Sequence, residues 1–452
     1  MLIFQDALPC IKTFLKHVPL KHRARGLLIR CLIAFLMHLG KMSAAQAAGA
    51  LRTDARHRAQ IGRFLGRGYW RRTDLLGPLR ADLLALEARR GRFLFEVDQT
   101  YCGQQGQKTE NTFSRGNTKA RPKKSRRRQK KYARRSCHCF VMGLLITPGG
   151  IRIPFWRPYY TKNYCEQKGL AYHTQTALAA ELIRQLPLPP KARVVVLGDT
   201  AFEAQSIRAA CKERRYTWIV PLNPERVLAG PKPRPKVKSL VPLLQADQLV
   251  RIEVHPARGQ YVAYRRIARC RMGPKLKART YYVHQESRDV HSVGKVRLVF
   301  STTKAPAKGR PVEVQKILMT DDEKLSVADV IELYQLRWQI ELFFKELKST
   351  LGLHHYRFQR FSRVEAWVTL VLTTFVYLEW LRARKLKRKA LSASERRWWK
   401  SQRTYGLACA VRQSAERKEL DDLSKALETP GGRRRLQKQL KKAHPKEYRA
   451  VA

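Results

Sequence analysis

Apolar and polar residues follow two different periods along this chain. Over residues 1 to about 85, Leu and Ala recur near a 3.6-residue spacing without strand-like alternation, which predicts helices. From residue 92 the pattern changes. Residues 92–98 (RFLFEVD) form a short apolar run that ends in an acid, and 137–146 and 151–156 read as strands joined across Pro148-Gly149-Gly150. Residues 174–186 return to a helical period and are stopped by Pro187 and Pro189. The β-branched run 193–197 (RVVVL) has the look of a strand buried on both faces, with Gly198 and Asp199 at its end. A helix to about Arg214 and a strand over 216–220 complete an α/β core.

Beyond it, Pro221, Pro224, Pro231, Pro233 and Pro235 mark a linker. Residues 249–300 then alternate, as in Val250, Ile252 and Val254 or Val296, Leu298 and Phe300. They predict a mostly antiparallel β insertion over 226–300, closed by the Pro, Gly and Lys residues of 306–311. Helices resume at Ser326, whose side chain is placed to cap the new helix, with Asp329 three residues on. The expected organisation is a helical region at 1–85, a core at 90–225 and 301–385, the insertion at 226–300, and a basic helical region at 386–452. The apolar run 366–378 has 13 residues, short of a membrane span, and the stretch 26–40 is interrupted by Arg30. Both are read as buried helices.

Charge changes the picture most. Ninety-two Lys and Arg against 35 Asp and Glu leave a formal net charge of +57. Such an excess argues against a small-metabolite enzyme and for a polyanionic partner. Residues 115–135 hold 12 Lys or Arg in 21 positions, among them Arg126, Arg127, Arg128, Lys130 and Lys131, and 433–449 form a second basic segment. A charge run is often only a solvated face, but with this total charge phosphate contact is the expected role. Residues 43–65 read as two short helices broken near Gly49 or Thr53, which suits either a DNA-contacting helix-turn-helix or an ordinary Ala-rich helical pair. Nine cysteines lack repeated CxxC spacing, and Cys137-His138-Cys139 alternates at period two, as in a strand rather than a zinc knuckle. The start of the chain, with Gln5 and Asp6, lacks the order of a secretory signal. A reduced, cytoplasmic and nucleoid-associated protein is expected.

Three acids stand where chemistry is expected. Asp98 ends the first core strand and Asp199 the fourth, and two carboxylates at strand ends of an α/β sheet could share a divalent metal or merely cap the next turn. The third lies on the helix from Ser326. Tyr334, Arg337, Glu341 and Lys348 are separated by two, three and six residues, which places them in one stripe about 60° wide. Leu333, Leu336, Ile340, Phe343, Leu347 and Leu351 fill the neighbouring stripe. A solvated amphipathic helix with an Arg337–Glu341 pair would explain the polarity, but not a Tyr in the same row.

At this point the sequence resembles a known family. YQLRWQIELFFKELK is similar to the Y-R-E-K signature of DDE transposases of bacterial insertion sequences, in the insertion-sequence-four-like group. Asp98-Gln99-Thr100 is similar to that family's D-x-T, and Asp199-Thr200-Ala201-Phe202 to its D-x-x-F/Y, with separations of 101 and 142 residues. The resemblance spans residues 90 to about 385. It implies an α/β fold with a ribonuclease-H-like catalytic core interrupted by a mostly β insertion, flanked by helical N- and C-terminal regions. It implies that Asp98, Asp199 and Glu341 hold two Mg²⁺ ions (Mn²⁺ substituting), and that Tyr334, Arg337 and Lys348 hold the backbone of a transposon end. The implied partner is double-stranded DNA, the element's inverted-repeat ends and a target, bound by a homodimer. Two readings compete: a DNA-binding regulator derived from a transposase, and a metal-dependent nuclease of the same fold. No Trp lies between Trp218 and Trp338, where relatives stack a flipped end base; Tyr261, Tyr264, Tyr281 or Tyr282 could substitute, or base flipping could be absent. His354 and His355 are expected to be structural or backbone-contacting rather than metal ligands, and Trp398 and Trp399 to serve dimer or DNA contacts.

Overall fold

The computed structural model describes residues 9–37, 61–66, 74–104, 108–115, 135–254, 279–307, 309–387 and 390–443. In chain order the elements are α1 (Pro9–Phe14), α2 (His22–Met37), α3 (Leu76–Leu84), β1 (Phe93–Gly103), β2 (Phe113–Arg115), β3 (Arg135–Ile146) and β4 (Arg152–Pro158). Then come α4 (Lys162–Lys168), α5 (Gln175–Arg184), β5 (Val194–Leu197), α6 (Gln205–Arg214), β6 (Thr217–Pro221), β7 (Val250–Val254), β8 (Arg279–Val290), β9 (Gly294–Thr302) and β10 (Lys316–Thr320). The helices α7 (Val327–Leu336), α8 (Trp338–Ser349), α9 (Phe361–Leu386), α10 (Ala393–Ser401), α11 (Thr404–Glu428) and α12 (Pro430–Ala443) complete the series. The chain divides into two compact units. A sheet unit comprises Glu87–Tyr101 and Cys139–Phe343; a helical unit comprises Met1–Leu86, Cys102–His138 and Phe344–Ala452.

The sheet unit is built on the order β4-β3-β1-β5-β6-β10-β9-β8-β7. β1, β5 and β6 are parallel, and the pairs β3–β4, β6–β10, β10–β9, β9–β8 and β8–β7 are antiparallel. This mixed α/β sheet is consistent with the ribonuclease-H-like superfamily. All four residues of β5 are buried, as its unbroken apolar run predicts for a central parallel strand. A parallel neighbour demands a crossover, and α6 supplies it between β5 and β6. The Thr161 and Thr174 side chains cap α4 and α5, each accepting the backbone N–H of the third residue on. The antiparallel strands read as an insertion do not form a separate layer. β10 uses one edge for β6 and the other for β9, so β7–β9 extend the core sheet.

One boundary differs from the sequence reading. β1 does not end at Asp98 but runs on to Gly103. Thr100 and Cys102 remain buried on alternate positions, so the strand keeps its period beyond the acid. What stops earlier is the pairing of β1 with β5, whose last pair is Glu96 with Leu197.

In the helical unit α9 is the centre, packed by α1, α2, α3, α10 and α11. Among the described residues it is the helix long and apolar enough to cross a bilayer, yet its most apolar 18-residue window is wholly buried in protein. Its buried hydroxyls are satisfied within the helix: Thr369, Thr373 and Thr374 each donate to the carbonyl four residues back, at 2.8–2.9 Å. A buried Glu379–Arg382 pair closes at 2.6 Å.

The β3–β4 hairpin depends on one close approach. Gly143 on β3 pairs with Phe155 on β4, whose ring meets that of Phe95 edge-on at 5.8 Å. A Cβ at Gly143 would overlap the Phe95 ring. Gly143→Ala should therefore cost about 1–3 kcal/mol by overpacking. A lower urea midpoint is the expected outcome, and an unchanged one would show that the ring can move aside.

Candidate active site

The parallel register places the two aspartates. Glu96 is opposite Leu197, the last residue of β5; two residues further on come Asp98, still within β1, and Asp199, in the turn that follows β5. Asp98 is half-buried, and its Oδ1 accepts the backbone N–H of Gln99 at 2.7 Å. Asp199 caps the short 3-10 turn Thr200–Phe202, accepting the Ala201 N–H at 2.9 Å. Gly198 precedes it, where a Cβ would come to 3.0 Å from the Phe202 Cβ, a tighter contact than most side chains make. The capping role considered for such acids is present here, and it occupies one oxygen of a group that can accept several hydrogen bonds.

The third acid comes from the segment after β10. Ser326 caps α7 by accepting the Asp329 N–H at 3.0 Å. The sequence predicts one helix from here through Lys348; the structure divides it at Arg337. The Arg337 N–H bonds the Tyr334 carbonyl at 3.1 Å and the Ile340 N–H bonds the Arg337 carbonyl at 3.3 Å, three-residue steps that tighten the turn between α7 and α8. The predicted apolar stripe is buried throughout: Leu333, Leu336, Ile340 and Phe343 in the sheet unit, Leu347 and Leu351 in the helical unit.

The polar stripe is less solvated than a surface row. Tyr334 is only 8% exposed. Arg337 donates to Glu341 at 2.7 Å, with side chains 16% and 31% exposed respectively. The Tyr334 ring has two cations against it, Lys316 at 4.7 Å and Arg337 at 5.9 Å from its centroid. Lys316, the first residue of β10, was not foreseen. A single Lys among 92 basic residues, at the start of a short strand, carries no sequence signal.

Electrostatics tie the groups together. Burial, then the charge of Asp199, push the Asp98 carboxyl up to about 6; the Gln99 N–H and Arg337 hold it back, and Glu341 raises it further. Burial works against the Arg337 charge, but the Glu341 hydrogen bond, with Tyr334 and Asp98, holds the guanidinium above its ordinary value. Burial keeps the Tyr334 hydroxyl protonated, above the usual phenol range. Burial and Arg337 lower Lys316. The residues suit a hard divalent cation in chemistry and charge: three carboxylates, one strongly desolvated and repelled by the others. Among the described residues, no group of three or more His, Cys, Asp and Glu is gathered closely enough to hold a metal as it stands.

The other predicted residues fall elsewhere. Lys348 is in the last turn of α8, in the helical unit. Arg126, Arg127, Arg128, Lys130 and Lys131 lie outside the described residues, as do Tyr261 and Tyr264 and, of the proposed helix pair at 43–65, all but the helical residues 61–65. Tyr281 and Tyr282 are on β8, and the Tyr281 hydroxyl accepts from the Gln335 amide of α7 at 2.9 Å. Cys137, His138 and Cys139 lie within β3. His138 is bonded to the Tyr356 hydroxyl at 2.8 Å and the Glu110 carbonyl at 2.9 Å, and burial lowers it to about 4. The His354 and His355 rings stand 3.9 Å apart in the helical unit. Trp399 is fully buried with Trp398 edge-on at 5.1 Å.

Two family models match the chain. One, described as DDE superfamily endonuclease, covers residues 13–242, just over half of the sequence. The other, described as Transposase DDE domain, covers residues 171–377. No curated protein matches.

The raised Asp98 value has a thermodynamic consequence. The folded state holds this proton more tightly than the unfolded chain, so ionisation costs stability; the cost is absent below about pH 4 and complete above about pH 6. Asp98→Asn should stabilise the metal-free protein at pH 7.5, by up to about 3 kcal/mol, and give no gain at pH 4. Urea denaturation at the two pH values reads the difference. Equal effects at both would remove the repulsion from the account.

Proposed function

The chain belongs to the DDE superfamily of endonucleases, and on that premise we propose that it is a transposase of a bacterial insertion sequence, in the insertion-sequence-four-like group. A transposase-type DDE domain is supported directly by the second family match. The finer reading rests above all on one observation: Asp98 and Asp199 follow the last paired residues of adjacent parallel strands, and the Asp98 carboxyl senses both Asp199 and Glu341.

In this reading Asp98, Asp199 and Glu341 would hold two Mg²⁺ ions, with Mn²⁺ able to substitute. Bound there, such ions would activate a water or a 3′-hydroxyl and neutralise the leaving oxygen of a phosphodiester. Asp98 must be ionised to serve as a ligand, and with its carboxyl near 6 it is so at neutral pH. Arg337 is a planar donor that can take two phosphate oxygens at once. Tyr334, held protonated by burial, offers a neutral hydroxyl donor. Lys348, further along α8, would add a point charge to the DNA backbone. Arg126, Arg127, Arg128, Lys130 and Lys131 would track DNA electrostatically.

The products would be hydrolysed element ends whose 3′-hydroxyls then attack target DNA. Because two ends must be joined, the working form would be a homodimer on DNA. The helical region 1–85 would contribute DNA binding, the sheet with its β7–β9 extension the catalytic core, and 386–452 a basic helical region. A cytoplasmic, nucleoid-associated location follows from the substrate.

The decisive experiment incubates purified protein and Mg²⁺ with a supercoiled plasmid carrying the DNA that flanks the gene, and maps 3′ ends at nucleotide resolution. Discrete breaks at both flanks with joined products are expected, lost in Glu341→Gln while binding persists. Cleavage by Glu341→Gln at the wild-type rate would refute the three-carboxylate site. Scattered nicks without joining would favour a nuclease, and binding without cleavage a regulator. Lys348→Ala should weaken end binding or cleavage, and full activity in that variant would remove its phosphate role.

A further inference from the structure

Lys316 shares a face of the sheet with Asp98. Glu96, Leu197, Ile219 and Thr320 are successive partners across β1, β5, β6 and β10. Side chains two residues apart along a strand point to the same face, so Asp98, two residues from Glu96, and Lys316, four from Thr320, both lie on the face of those partners. Three strand spacings separate them, roughly 14 Å across the sheet at about 4.8 Å per strand. Lys316 also lies at the right end. β10 runs against β6, and Leu318 pairs with Pro221, the last residue of β6, so the first residue of β10 projects beyond the end of that strand. Asp98 likewise follows the last pair of β1 with β5.

The surroundings of Lys316 leave its charge unanswered. It is exposed, whereas the four residues after it in β10 are buried, so the strand does not need it for packing. Its ammonium stands 4.7 Å from the centre of the Tyr334 ring, and the Arg337 guanidinium is against the same ring at 5.9 Å. Arg337 has a carboxylate partner, Glu341 at 2.7 Å. Lys316 has no such support among the described residues: partial desolvation and the like charge of Arg337 both act against its proton, and no carboxylate acts for it. A second cation beside an arginine is unfavourable until an anion arrives, and an anion held near both would convert the repulsion into attraction.

We propose that Lys316 is a further DNA-contacting residue of the site, its ammonium taking a non-bridging oxygen of one backbone phosphate a few nucleotides from the phosphodiester that is cut. The ligand class rests on the transposase reading above; the residue and the path rest on the sheet. With a rise of about 3.4 Å per nucleotide along one strand, a separation of roughly 14 Å covers a few linked phosphates rather than one. The strand therefore leaves the acids across β5 and β6 toward β10. An ammonium on a flexible stem suits a single oxygen, as a point charge, while the planar Arg337 fork suits two. A contact of this kind fixes where the strand lies and carries no base preference of its own.

The test pairs a protein substitution with substitutions in the DNA. Duplexes carrying the gene's flanking end sequence are made with a neutral methylphosphonate at one backbone position at a time, and binding to the full-length protein is read by fluorescence anisotropy in EDTA. Lys316→Met, which keeps an unbranched apolar stem beside the Tyr334 ring, should bind the unmodified duplex about tenfold more weakly than wild type. It should also be indifferent to the methylphosphonate at one position where the wild type loses affinity, while remaining sensitive at the others. That position should fall within a few nucleotides of the cut mapped in Mg²⁺, and Lys316→Arg should restore the sensitivity there. Identical methylphosphonate profiles for wild type and Lys316→Met would overturn this inference alone, as would a differing position a full helical turn from the cut. A lowered thermal midpoint with equal loss at every position would assign Lys316 a structural role instead. A wild type that binds no end duplex would overturn the transposase reading and this inference with it.

Discussion

The parallel pairing of β1 with β5, in the register that sets Glu96 against Leu197, is the constraint on which the candidate site depends. It brings Asp98, in β1, within electrostatic reach of Asp199, in the turn that follows β5, a juxtaposition that neither strand could create alone. The pairing is protected because β5 is buried throughout and is held on its other edge by β6. A slip of one residue would send every side chain of β5 to the opposite face. The cost of this register is electrostatic, since two carboxylates are placed together and one is partly withdrawn from water.

The surroundings answer that cost with cations of different kinds. Arg337 is held in its charged form by Glu341, Tyr334 and Asp98, and with Lys316 it lies against the buried Tyr334 ring. A buried phenol with two cations against its ring gains from both while keeping its own proton. Glu341 is the least settled member of the set. One of its oxygens is engaged by Arg337 at 2.7 Å, so any other partner for that carboxylate would have to compete with the ion pair.

The helical unit distributes the chain's basic excess in another way. Its centre, α9, has its most apolar 18-residue stretch wholly buried, and α1, α2, α3, α10 and α11 pack against it, which leaves the surrounding helices with faces free to carry Arg and Lys. α2 shows the division clearly: Leu28, Cys31, Leu32 and Phe35 on one side, Arg23, Gly26 and Arg30 on the other. A net charge of +57 is tolerable to a folded chain when such faces meet a polyanion rather than one another.

Much of this was legible in the sequence because it is local or periodic. The unbroken apolar run of β5, the cap at Ser326, the end of α6 at Arg214 and the apolar stripe through Leu333, Leu336, Ile340 and Phe343 each follow from side-chain spacing alone. The positions of Asp98, Asp199 and Glu341 stood out for the same reason, as acids beside strongly patterned runs. Three features were not legible. The continuation of β1 past Asp98 depends on burial of Thr100 and Cys102, which only packing reveals. The tightened turn at Arg337 breaks a pattern that reads as one uninterrupted helix. Lys316 reaches Tyr334 because β10 is inserted between β6 and β9, a pairing between segments more than 90 residues apart in one case. Sequence by itself determined which residues could carry the chemistry, since that is a matter of side-chain type and spacing along one element. Which of them share a charge was decided by tertiary structure, because electrostatic coupling depends on distance and burial, and both are set by how separate strands pair.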